Sequence, residues 1–187
     1  MQSPSRLCPQ PKLTAALQAA GQGDDAGLDA VNALLRDYWD DPTLHFLKGS
    51  LLAALKRYDD ARLAMGRALE IAPDYPVARF QLGLLHLSSG NADAARQVWA
   101  PLDGLPAEDP LRLFARGLDL MARDEFDAAR TLLEAGLAAN GNGPMNADIR
   151  LILEQMDRPG PVAGGEGDAT SSAHFLLAQQ GARRTTH

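Results

Sequence analysis

Apolar residues along this chain recur at steps of three and four, the signature of helices that lay one face on a core. In PVARFQLGLLHLSSG, Phe80, Leu84 and Leu87 form an i, i+4, i+7 stripe. Val77, Leu82 and Leu85 fill the other faces, and only Arg79, Gln81, His86 and Ser88 interrupt them with polar groups. A helix apolar nearly all round asks to be buried on every side. Its leading Pro76 suits a first helical turn, and Gly90 stops it. The next segment, NADAARQVWAPL, opens on Asn91, a good N-cap, and sets Asp93 in the first turn, where the macrodipole favours negative charge. Arg96 follows one turn on as its partner. The pattern predicts two helices per unit.

The unit repeats. Gly49, Gly83 and Gly117 are spaced by 34 residues, as are Phe46, Phe80 and Phe114. The same step links Asp59, Asp93 and Asp127, then Ala61, Ala95 and Ala129, then Arg62, Arg96 and Arg130, and more loosely Tyr58, Ala92 and Phe126. Agreement of several columns at one period marks a repeat architecture, in which each unit buries its apolar face only by packing on its neighbours. Gly in the first helix and Ala in the second are small enough for two helix backbones to approach closely.

These columns resemble the tetratricopeptide repeat, a family of helix–turn–helix units. Gly49, Gly83 and Gly117 match the small residue of its first helix; Ala61, Ala95 and Ala129, with Ala68, match those of its second, and Pro73 its closing proline. The chain departs from the pattern at His45, Arg79 and Leu113, where an aromatic residue is expected, and at Ala107 and Gly141, where the closing proline is lost. The resemblance covers three units, 42–75, 76–109 and 110–143. It implies an all-α fold, a right-handed superhelical solenoid with a concave groove lined by the first helices.

The flanks extend this scheme. Residues 1–11 read as a disordered start and 12–41 as a degenerate helix pair, with Asp25 one period before Asp59. Residues 144–157 read as a capping helix whose apolar face is Ile149, Ile152, Leu153 and Met156, because repeat arrays need amphipathic ends. Residues 158–171 are rich in Gly, Pro and small polar side chains, a flexible linker. Residues 172–187 carry an apolar segment, Phe175, Leu176 and Leu177, and a basic tail. AHFLLA there echoes LHFLKG and ARFQLG of the first helices, so the segment is a candidate to dock in its own groove or in that of a second copy, making a homodimer.

By the resemblance, Phe46, Phe80, Leu84, Leu87, Phe114, Leu118 and Met121 face the groove. Two readings stay open, ordinary core and an apolar surface awaiting a partner. The family's basic clamp for a C-terminal carboxylate is absent, since Phe46, Leu47, Ser50, Gln81, Leu111 and Ala115 stand at its places. An apolar groove suits a hydrophobic peptide or an amphipathic helix.

Composition narrows the field. A chain that is 45% hydrophobic but only 5% aromatic, rich in Ala and Leu, favours helices over sheets. Its net charge of −6 argues against nucleic acid, which demands surplus Lys and Arg. Cys8 is the lone cysteine, which excludes an internal disulfide and fits a cytoplasmic location. No run reaches the roughly 18 apolar residues of a membrane span, and MQSPSRLCPQ lacks the apolar run of a secretory signal. No phosphate-loop motif occurs, His45, His86, His174 and His187 have no metal-ligand spacing, and the doublets Asp24-Asp25, Asp40-Asp41 and Asp59-Asp60 sit at helix edges as caps.

The expected protein is therefore a non-enzymatic adaptor or chaperone, without cofactor or metal, that holds an apolar or amphipathic segment of a protein partner. The alternatives are a regulatory or self-associating scaffold built on the C-terminal segment and, remotely, an enzyme whose site the motifs do not reveal.

Overall fold

Side-chain caps and prolines set where several of the helices begin. In the computed structural model, which describes residues 7–141 and 143–156, the order is α1 (Gln10–Ala20), α2 (Asp24–Leu34), α3 (Pro42–Ala54), α4 (Tyr58–Ile71), α5 (Pro76–Ser88), α6 (Ala92–Trp99), a short 3-10 helix (Ala100–Gly104), α7 (Pro110–Met121), α8 (Phe126–Ala139) and α9 (Gly143–Met156). No strand occurs among the described residues. The linker 158–171 and the segment with Phe175, Leu176 and Leu177 lie outside them.

Asp41 and Asp109 stand two periods apart and cap α3 and α7. The Asp41 carboxylate accepts from the amides of Thr43 (2.8 Å) and Leu44 (3.3 Å), and that of Asp109 from Leu111 (2.9 Å) and Arg112 (3.4 Å). Asn91 caps α6 through the Ala94 amide. The turns inside the three repeats share one geometry. Lys56, Gly90 and Asp124, one per period, all take positive φ, and the following amides of Arg57, Asn91 and Glu125 return to Leu52, His86 and Leu120. This is the left-handed closure that ends a helix, and only the middle repeat fills it with Gly.

The start of the chain is ordered further forward than the composition suggests. The disordered start expected to run through residue 11 is corrected at its end, since α1 begins at Gln10 and the Cys8 amide donates to the other Asp41 oxygen at 2.6 Å. Pro9 and Pro11 lack the amide hydrogens that would need partners at a helix start, so the turn forms at little cost. Asp41, only 3% exposed, thus serves three amides. Asp41→Ala should cost about 1–2 kcal/mol in urea unfolding, the upper range for a cap, and loosen the Cys8 amide in hydrogen exchange. An unchanged midpoint would show the cap to be dispensable.

Contacts divide the chain into two compact units that part within α5, after Ala78. In the first, Gly49 of α3 lies against α4 so closely that a Cβ would sit 2.5 Å from Met65 Cγ and 3.1 Å from the Ala61 carbonyl oxygen. Phe46, Leu47 and Leu51 are buried with Met65 and Ala68, and the Phe46 and Tyr75 rings are 5.2 Å apart.

In the second unit, Gly117 meets Leu133 and Ala129 in the same way, and Gly83 meets the Trp99 indole. Met65, Trp99 and Leu133 are thus one column, a large apolar side chain one turn beyond each small Ala. Trp99 Nε1 donates to the Phe80 carbonyl at 2.9 Å, and its ring stacks on Phe80 at 6.1 Å. The second helix of this repeat is short. Pro101 has no amide to continue the ladder, so α6 stops at Trp99, whereas α4 and α8 each run 14 residues. In the capping region Met145, Ile149 and Leu153 are buried, while Ile152 and Met156 stay half-buried, so the buried stripe includes Met145 in addition to the residues read from the sequence.

Candidate functional site

The seven groove candidates divide by burial. Phe46, Phe80, Phe114 and Leu118 are at most 1% exposed. For these four the partner-surface expectation is corrected to core. Phe80 is held between Trp99 and Phe114, whose ring centroids lie 6.1 and 6.3 Å from its own. Phe114 presses on Gly136 of α8, where a Cβ would come within 2.5 Å of the ring. Such rings hold the helices together and offer no face to a partner. Leu84, Leu87 and Met121 are half-buried and keep accessible surface. Ser50 occupies the stripe in the first unit and is buried, its hydroxyl donating to the Phe46 carbonyl at 3.1 Å.

Several of the ionisable groups singled out in the sequence have structural partners. Asp59 pairs with Arg62, and Asp93 with Arg96 at 3.0 Å, while in the third repeat Arg130 reaches Glu134 at 3.7 Å. Arg96 also donates to Asp119 at 2.8 Å, and this hydrogen bond, with the Asp119 charge, holds its pKa above the ordinary value. His45 Nε2 lies 2.7 Å from the Trp39 carbonyl oxygen. Burial, and then the Asp41 charge, push the Cys8 thiol up, which disfavours the nucleophilic thiolate. Among the described residues no group of three His, Cys, Asp or Glu side chains could hold a metal, and no helix is long and apolar enough to cross a membrane.

The structure brings together one set of residues that the motifs did not. Arg112 and Arg116 of α7, with Asp119 and Arg123 further along, meet Arg96 of α6 and Asp103 of the 3-10 helix around a cleft of about 290 Å³. Helical spacing alone groups the α7 members on one side. No sequence signal joins them to Arg96 and Asp103, which arrive by helix packing.

Helix pairs repeated at one period, with small residues at each crossing, define an all-α helical-repeat protein of the kind that acts as a protein-interaction scaffold. The sequence matches family models described as Tetratricopeptide repeat, one over residues 52–116 and another over 13–76 and 114–153. The chain belongs to the tetratricopeptide repeat family. No curated protein matches it.

Solved structures with a similar fold include "MamA 41-end from Desulfovibrio magneticus RS-1", 14% identical over 95% of this chain and 97% of that one, with a TM-score of 0.59. Another is "MamA RS-1 ArsTM double mutant", 15% identical over 94% of each chain, also with a TM-score of 0.59. At such identities the likeness shows a shared helical-repeat fold.

Proposed function

We propose that this tetratricopeptide protein is a non-enzymatic, cytoplasmic adaptor or chaperone that holds an apolar or amphipathic segment of a partner protein. The observation that carries this reading is the partial exposure of Leu84 and Leu87 on α5, and of Met121 one period after Leu87 on α7. By helical spacing they share a face with Phe80 and Phe114, whose rings are fixed by packing, which supports a pre-organised contact that loses little side-chain freedom on binding. The charged groups that converge in the second unit are mostly arginines. Guanidinium groups stay protonated through the neutral range, which favours binding over acid–base turnover. The single Cys8 supports a reducing compartment.

Pull-down with the full chain and with a Leu84→Ser, Leu87→Ser, Met121→Ser variant, read by quantitative mass spectrometry, tests the proposal. A stoichiometric partner should be lost from the variant by tenfold or more, about 1.4 kcal/mol, while helical circular dichroism is retained. Equal recovery by both would overturn the apolar contact.

A further inference from the structure

The cleft of the second unit holds twice as many guanidinium groups as carboxylates. Asp119 accepts from Arg96 Nε and from Arg123 Nη2, each at 2.8 Å, so one carboxylate serves two arginines. Asp103 lies 3.8 Å from the Nε of both Arg112 and Arg116, beyond hydrogen-bonding reach of either. Arg112 Nη1 is engaged by the Leu105 carbonyl at 2.7 Å, yet its Nε is buried and makes no hydrogen bond. A buried charged donor left unmade is a standing demand for an acceptor. Trp99, Leu102, Leu120 and Leu132 supply apolar wall between these charges. Arg96 and Arg123 have further carboxylate partners in Asp93 and Glu125, at 3.0 and 3.5 Å, so Arg112 and Arg116 are the two cations left with only the distant Asp103.

The first unit repeats this arrangement two periods earlier. A cleft of about 360 Å³ among α2, α3 and α4 places Lys48, Leu52 and Ala64 where the second unit has Arg116, Leu120 and Leu132. Lys48, Arg57 and Arg67 line it with Asp60. Asp60 engages Arg57 and Glu70 engages Arg67, each at 2.7 Å, which leaves Lys48 as the lining cation with no carboxylate among these. Two clefts, one in each unit, therefore share one repeat phase, and each has a basic side chain at the same repeat position, Lys48 and Arg116, with no carboxylate within hydrogen-bonding reach.

We propose that each cleft, by itself, docks an acidic segment of a partner protein, its Glu or Asp side chains supplying the carboxylates that Arg112, Arg116 and Lys48 lack. Guanidinium groups pair with carboxylates in a planar two-bond geometry, which Asp103 is too distant to complete. The apolar walls suit Leu-like residues between the acidic ones, and cations that lack a close carboxylate also attract an oppositely charged segment before contact. This deepens the scaffold reading and rests on it, but uses side chains other than Leu84, Leu87 and Met121.

The test uses the full chain and a fluorescein-labelled peptide of alternating Glu and Leu, followed by fluorescence anisotropy, beside a peptide with Gln in place of Glu. The Glu peptide should bind saturably and at least about tenfold more tightly than the Gln peptide, and should weaken as salt is raised. Arg116 and Arg123 are 57% and 47% exposed, so Arg116→Gln with Arg123→Gln should spare the fold while weakening the second-unit site by about tenfold. Lys48→Gln does the same for the first unit. Asp103→Asn removes the internal competitor and should tighten binding, a gain that a purely structural role for the arginines does not produce.

Equal binding of the two peptides, indifference to the Arg116 and Arg123 changes, or looser binding by Asp103→Asn would each overturn the proposal. So would displacement of the peptide by inorganic phosphate at concentrations as low as the peptide's own, which would mark a small-anion site instead. If these fail while the Leu84, Leu87 and Met121 variant still loses its partner, the acidic-segment proposal falls alone. If only the latter fails, the apolar contact falls and the clefts stand.

Discussion

Replacing Gly83 with Ala should destabilise the second unit by about 3–5 kcal/mol, the range for losing a buried aromatic side chain, and lower its melting temperature by about 12–40 °C. The added Cβ would overlap Trp99 Nε1 and stand 2.5 Å from two other atoms of the indole. The indole cannot slide away cheaply, because it is 4% exposed, stacked on Phe80 and hydrogen-bonded to the Phe80 carbonyl. Helix propensity points the other way, since Ala in a helix interior is worth about 1 kcal/mol over Gly. The sign of the result therefore separates packing from propensity.

Gly66 in α4 is the control, with nothing within 4 Å of an added Cβ, so Gly66→Ala should stabilise by about 0.5–1 kcal/mol. Removing the obstacle with Trp99→Ala should make the two changes non-additive in a double-mutant cycle, by about 1–3 kcal/mol. A Gly83→Ala protein as stable as the parent would show that α5 and α6 are not held at this distance.

Ending the chain at Gly143 should abolish cooperative melting of the second unit and produce aggregation. It removes Met145, Ile149 and Leu153, all buried, whose burial contributes roughly 5–8 kcal/mol at about 1.5–3 each. That is comparable to the whole net stability of a domain, about 5–15 kcal/mol. The truncation also breaks a reciprocal amide pair, in which the Asn140 side chain donates to Asn146 Oδ1 at 2.9 Å and the Asn146 side chain donates to the Asn140 carbonyl at 2.8 Å.

Point changes distinguish a packed cap from mere chain length. Ile149→Ser should cost about 3 kcal/mol, whereas Leu151→Ser, two residues on and 55% exposed, should change stability by less than about 0.5 kcal/mol. Equal effects at the two sites, or a truncated chain that melts like the full one, would rule out a cap packed in this orientation.

Much of the architecture is written in local chemistry that a single chain displays. The period is visible because Gly49, Gly83 and Gly117 and the columns around Asp59 and Ala61 answer constraints that recur identically in every repeat: a close helix crossing, a charge in the first helical turn, a capped end. Asp41 and Asn91 are legible as caps for the same reason, since the groups they serve lie within three residues. The Met65, Trp99 and Leu133 column escapes a search for identities because its constraint is only size and polarity.

What the sequence by itself determined is therefore the repeat, its helix pairs and its family, all set by interactions within a turn or a hairpin. Only the tertiary structure decided the fate of the aromatic stripe and which cations line the clefts. Helical spacing shows that Phe80, Leu84 and Leu87 share a face, but whether that face meets solvent or Trp99 and Phe114 depends on helices far along the chain. Likewise Arg96 and Asp119 are 23 residues apart and become neighbours only when α6 and α7 pack, so an arginine-lined cleft arises that no local reading of charge displays.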